Sequence, residues 1–167
     1  MNVRKLLLIL VAVAAAVFLL IQLVPIGRAH DNPPVVAEPN WDSPQTRELA
    51  QRACFDCHSN ETVWPWYSNV APVSWLVQHD VDEGRQYLNF SNWGQSSEEG
   101  EESEEMGETV LGGEMPLRNY LITHPEARLT DAERAALAEG LAATAAQSPT
   151  TGTAEGHSEA EEHSEGD

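Results

Sequence analysis

The chain is short of basic residues. Nine Lys and Arg stand against 27 Asp and Glu in 167 residues, for a formal net charge of −18. Phosphate backbones are bound by clustered cations, so the shortage argues against nucleic acid as a partner. Strand-like alternation of apolar and polar residues is missing as well, which removes the βαβ setting expected of a thioredoxin-like dithiol. Cysteine is limited to two residues, Cys54 and Cys57, and both lie in one pentapeptide.

The charge is unevenly spread. Residues 95–108 hold seven acids and residues 147–167 hold six, with no Lys or Arg in either stretch. Removing these 13 acids leaves about −5 for the rest, so the folding unit is only mildly acidic. Neither stretch carries an apolar period. Residues 95–108 are therefore expected to form a mobile acidic loop, and 147–167 a disordered acidic tail. His157 and His163 fall in that tail and His30 in a linker, where solvated side chains are the ordinary reading.

From Leu6 to Ile26 no charge occurs and Gln22 is the one polar side chain. As a helix this run would span about 31 Å, close to the hydrocarbon thickness of a bilayer. Val24-Pro25-Ile26-Gly27-Arg28 is a poor signal-peptidase site. The expectation is an uncleaved transmembrane anchor over 5–27. Arg4 and Lys5 precede it, which favours a cytoplasmic N-terminus. A single pass through the cytoplasmic membrane then places the following domain in the periplasm or another extracytoplasmic space.

Residues 28–42 contain three prolines and read as an extended tether. The domain proper is expected over 43–146 and all-α. Ser43-Pro44 suits a helix start, with Leu49, Ala50, Ala53 and Cys54 at helical spacing, so the first helix should cover about 44–54. A proline- and aromatic-rich loop follows over 59–72. A second helix is expected over about 73–88, with Leu76, Val77, Val81, Tyr87 and Leu88 inward. After Gly112-Gly113-Glu114-Met115-Pro116 a short helical piece should reach about Thr123. Thr130-Asp131-Ala132-Glu133 fits a capping box for a last helix ending near 146.

The first helix delivers the chain into Cys54-Phe55-Asp56-Cys57-His58. The spacing Cys-x-x-Cys-His is the attachment pattern of c-type haem: two thiols add across the vinyl groups, and the adjacent histidine supplies an imidazole to the iron. A zinc site wants four ligands, usually with a second Cys or His pair, and His79 and His124 are too isolated to supply it. A plain disulfide would leave the following histidine unexplained. For the opposite face of the iron Met115 is the leading candidate, with His79 and His124 as alternatives. Met106, inside the acidic run, is expected to be exposed. Trp64, Trp66, Trp75 and Trp93 are candidate pocket walls or ordinary core, and Arg85 and Arg118 candidate propionate partners.

These residues carry a resemblance. Cys54-Phe55-Asp56-Cys57-His58-Ser59-Asn60-Glu61-Thr62 and Trp64-Pro65-Trp66-Tyr67-Ser68-Asn69 resemble the bacterial haem-binding domain family. So do Ala71-Pro72-Val73-Ser74-Trp75, the block from His79 to Arg85, Met115-Pro116, and His124-Pro125-Glu126-Ala127 with the helix start at Leu129. The resemblance covers roughly 40–145. The arrangement is also similar to class I cytochromes c. It implies haem c on Cys54 and Cys57, His58 as proximal ligand and Met115 as distal ligand, with the C-terminal helix packed on the first. The acidic run departs from that pattern. The function expected is one-electron transfer by a carrier, not an enzyme, with a redox protein of basic surface as partner. A haem enzyme or gas sensor with an open distal site, and a haem-free thiol-redox or anchor protein, are the alternatives.

Overall fold

The computed structural model describes residues 2–94 and 103–147. Among them the regular structure is helical, with one isolated β-bridge and no strand. The all-α expectation therefore holds. The acidic residues 95–102 and the tail from 148 on, with His157 and His163, lie outside the described residues.

Helix α1 (Val3–Ile21) is exposed along nearly its whole length. Its 19 residues make it long and apolar enough to cross a membrane. It stops short of the expected Ile26 because Gln22 is drawn into the domain. Gln22 Nε2 donates to the Ala71 carbonyl at 2.9 Å, its Oε1 accepts from Ala71 N at 3.0 Å, and Arg28 clasps it from the other side.

The stretch 28–42 is extended as expected, but it is pinned to the domain and is not a loose spacer. His30 stacks on Trp64 at 4.6 Å. Ala37 pairs with Asn92 as a parallel bridge. Glu38 takes both Arg47 (2.8 Å) and the Trp41 indole N–H (2.9 Å).

Helix α2 (Pro44–Ala53) begins where Ser43 Oγ accepts from Thr46 N, with Pro44 in the first turn. It leads at once into the single turn α3 (Phe55–His58). A 3₁₀ turn at Trp66–Asn69 precedes α4 (Val73–Tyr87). Of its expected inward residues, Val81 and the following Leu88 are buried, whereas Leu76 and Tyr87 are about half exposed.

Helix α5 (Ser103–Gly112) is a correction. The acidic loop expected over 95–108 is helical from 103 on, and Met106 is 3% exposed, not out in solvent. Met106, Thr109 and Val110 recur at i, i+3 and i+4, enough of an apolar edge to pack on the last helix. The short α6 (Tyr120–Thr123) follows, then a 3₁₀ turn at Pro125–Ala127 and α7 (Asp131–Gln147). The α7 start is the expected capping box: Thr130 N donates to Glu133 Oε2 at 2.8 Å and Glu133 N to Thr130 Oγ1 at 3.2 Å.

The core joins α2, α3, α5 and α7 through Leu49, Ala50, Phe55, Val110, Leu137 and Leu141. Helix α7 crosses α2 at Gly140, where a Cβ would lie 2.9 Å from Thr46 Cβ. Only glycine permits that approach. An aromatic stack of Trp41, Phe55, Phe90 and Trp93 closes one end.

Candidate functional site

The turn Cys54–His58 is held from both sides. The segment after α4 runs alongside it: Phe90 N donates to the His58 carbonyl at 2.8 Å, and Asn60 N donates to Ser91 Oγ at 2.9 Å. Asn89 bridges the two chains, donating to Asn60 Oδ1 and accepting from Ser91 N. Helix α4 comes close because residue 84 is glycine. A Cβ there would stand 2.9 Å from the Cys57 carbonyl carbon.

This framework sets the imidazole. His58 Nδ1 lies 3.1 Å from the Leu88 carbonyl oxygen. A carbonyl only accepts, so the neutral ring keeps its proton on Nδ1 and leaves a lone pair on Nε2. Burial pulls His58 below the ordinary imidazole range, against the Leu88 and Gly84 carbonyls, which favour the charged form. A neutral imidazole with an oriented second nitrogen is the form that binds a metal.

Two hollows flank the turn. The smaller, about 40 Å³, is lined by His58, Cys54, Leu88 and Phe90 together with Met106, Met115, Pro116 and Leu141. It therefore brings together His58, Cys54 and Met115, and adds Met106, which sequence reasoning had sent to solvent. The larger, about 310 Å³, lies on the Cys57 side of the turn, against α4 and α6.

The other candidates are elsewhere. His79 is exposed and paired with Glu83 at 3.4 Å. His124 belongs to the larger hollow, stacked on Tyr120 at 3.9 Å. None of Trp64, Trp66, Trp75 and Trp93 lines either hollow. Trp64 is taken by His30, Trp93 by Phe90, and Trp66 is 79% exposed. Arg85 is committed to structure: its guanidinium donates to the Ser59 and Asp31 carbonyls, Thr62 Oγ1 and Asn32 Oδ1. Those bonds tie the linker to the turn and leave no fork for a propionate. Arg118 is exposed.

No disulfide joins Cys54 and Cys57. Burial, reinforced by the negative Asp80 and Asp56, pushes the Cys57 thiol up to about 12. Redox-active and metal-binding cysteines have the opposite shift, toward thiolate. Among the described residues no group of three His, Cys, Asp or Glu could hold a metal ion. What remains is a soft donor set: the His58 imidazole and the Met115 thioether line one hollow together with Cys54, and Cys57 stands on the other side of the same turn. That set fits an iron porphyrin. The hollow itself, about 40 Å³, is smaller than a porphyrin.

No curated protein and no solved structure matches the chain. A family model does, that of the haem-binding domain, over residues 16–143, well over half the chain. The match takes in both walls of the smaller hollow and every donor in it, and the chain therefore belongs to this family of haem-binding domains.

Proposed function

We propose that the protein is a membrane-anchored c-type cytochrome that carries single electrons outside the cytoplasm. The observation that carries this reading is His58. It ends a Cys-x-x-Cys-His turn, its Nδ1 is engaged by the Leu88 carbonyl, and its ring shares an apolar hollow with Met115. Cys54 and Cys57 would form thioethers to the haem, which keep it from being lost in an open compartment. The bound haem would supply a one-electron ferric/ferrous couple.

The chain's own contributions are positional. Leu88 fixes the tautomer of the proximal imidazole. Met115 would give its thioether sulfur to the iron opposite His58, and a thioether ligand favours the reduced iron and raises the potential. Met106 seals the same hollow from α5. With His58 and Met115 both given to the iron, no position would be left for a substrate, which favours a carrier over an enzyme. Helix α1 anchors the domain, and Arg4 and Lys5 favour a cytoplasmic N-terminus. The acids of 95–108 suit a redox partner with a basic surface, met by salt-sensitive steering.

Carbon monoxide binding to the reduced protein at neutral pH tests the carrier reading. A six-coordinate haem resists it, and only Met115→Ala should bind it readily. Ready binding by the wild type would instead indicate an open-site haem enzyme or gas sensor.

A further inference from the structure

Trp66 has no part in the site described above. It opens the 3₁₀ turn Trp66–Asn69 and is 79% exposed. Tryptophan joins an apolar ring system to a polar N–H, and it collects where hydrocarbon meets water, above all at the two faces of a bilayer. The chain around Trp66 has the same character. None of the 17 residues from Thr62 to Gln78 is charged, although charged residues make up 22% of the chain. The Trp66 ring meets Tyr67 edge to face at 5.8 Å, and Tyr67 Oη lies 2.9 Å from Thr123 Oγ1. That contact brings α6 alongside, where Ile122 is 74% exposed. The exposed Val63, Val73 and Leu76 belong instead to the hollow at Cys57.

The anchor ends beside this edge. A helix of 19 residues rises about 28 Å, so in a bilayer Ile21 stands at the membrane face. Gln22, the next residue, is bonded in both directions to Ala71. Trp66 is five residues from Ala71, at most about 18 Å along a fully extended chain and less through a 3₁₀ turn. A second contact stops the domain from swinging on a free tether. Gly27, at φ +75°, lies against the first turn of α4, and a Cβ there would run into the Ser74 carbonyl. Between the two contacts Leu23 and Ile26 are 79% and 63% exposed, which continues the apolar surface from the anchor toward the domain.

We propose that the Trp66 edge of the domain rests on the bilayer that α1 spans, with the Trp66 indole in the headgroup layer at the hydrocarbon boundary. The inference rests on the reading of α1 as an anchor. The occupant is lipid because Ala71 is bonded to the residue that follows the span, which leaves the neighbouring turn at the membrane face. With no Lys or Arg between Thr62 and Gln78, the contact is apolar and has no need of anionic lipid.

The test uses the full chain grown with 5-fluorotryptophan, its haem kept reduced, in phosphatidylcholine nanodiscs. The Trp66 fluorine signal is the one missing from Trp66→Phe. A phosphatidylcholine with a nitroxide high on its acyl chain should broaden that signal more than a water-soluble gadolinium chelate does. High salt or added phosphatidylglycerol should leave the result unchanged. In a chain that stays in its source membranes through an alkaline carbonate wash, a Trp66 signal broadened by the chelate and left sharp by the lipid nitroxide would overturn the inference alone. So would lipid broadening that appears only with phosphatidylglycerol and is lost in salt. Release of the chain by carbonate would remove the anchor reading, and the inference with it.

Discussion

The two sides of the Cys54–His58 turn are built from opposite materials. On the His58 side the walls are mostly hydrocarbon and thioether, with His58 Nδ1 on the Leu88 carbonyl and Thr109 Oγ1 on the Met106 carbonyl. On the Cys57 side a carboxylate, a phenol and an imidazole meet at one edge of an aliphatic cleft. A single turn of helix serves both because its neighbouring positions point apart. Cys54 and His58 face the dry side, whereas Asp56 and Cys57 face the other. One short motif thus borders two environments at once: a dry hollow around His58, and a polar-edged cleft at Cys57.

The comparison can be broken most severely at Gly84. Gly84→Val should push α4 off Cys57 and disturb both sides together. Even Gly84→Ala should cost about 1–3 kcal/mol, the scale of overpacking, read as a lowered Tm. A Tm within error of the wild type would mean that α4 does not seat on the turn as described.

The two methionines sharpen the dry side. Met106→Ala should cost about 2–5 kcal/mol as a large-to-small core change, yet leave the reduced haem closed to carbon monoxide. Met115→Ala should do the reverse, costing less stability and opening the sixth position. An interchange of these phenotypes would make Met106 the distal ligand.

On the polar side, Tyr120→Phe removes the hydroxyl that donates to Asp56. It should lower stability by about 1–2 kcal/mol without altering the haem spectrum. A spectral change would show that the two sides are coupled through the turn.

The smallest effect lies away from both hollows. Glu133 is held at about 2 by the Thr130 N–H first, then by Arg52 and the Thr130 hydroxyl. Its folded value is depressed below the ordinary 4.5, so its stabilisation is present above about pH 4.5 and is lost as pH falls toward 2. Acid unfolding of Glu133→Gln should be flatter than wild type across that window. Parallel curves would contradict the capping role.

Much of this was legible in the sequence. Ser43-Pro44 and Thr130–Glu133 marked two helix starts because caps are local chemistry. The pentapeptide marked the centre because its spacing is short. Met106 was misread because seven acids around it outweighed a three-residue apolar edge, and burial came from α7, far along the chain. Arg85 looked like a spare charge, and only the fold returns the linker carbonyl of Asp31 to it. The Leu88 carbonyl has no side-chain signature, so the group that sets the His58 tautomer could not be read. The Asp56–Tyr120–His124 edge joins residues up to 68 positions apart and was invisible for the same reason.

A c-type cytochrome carries its haem covalently, here on the Cys54–Cys57 pair. The most direct test is a haem-stained denaturing gel of membranes from cells with working cytochrome c maturation, run beside a Cys54→Ala, Cys57→Ala double variant. Stain that migrates with the wild-type chain and disappears from the double variant is the predicted result. Well-expressed wild-type protein that takes no stain would contradict it.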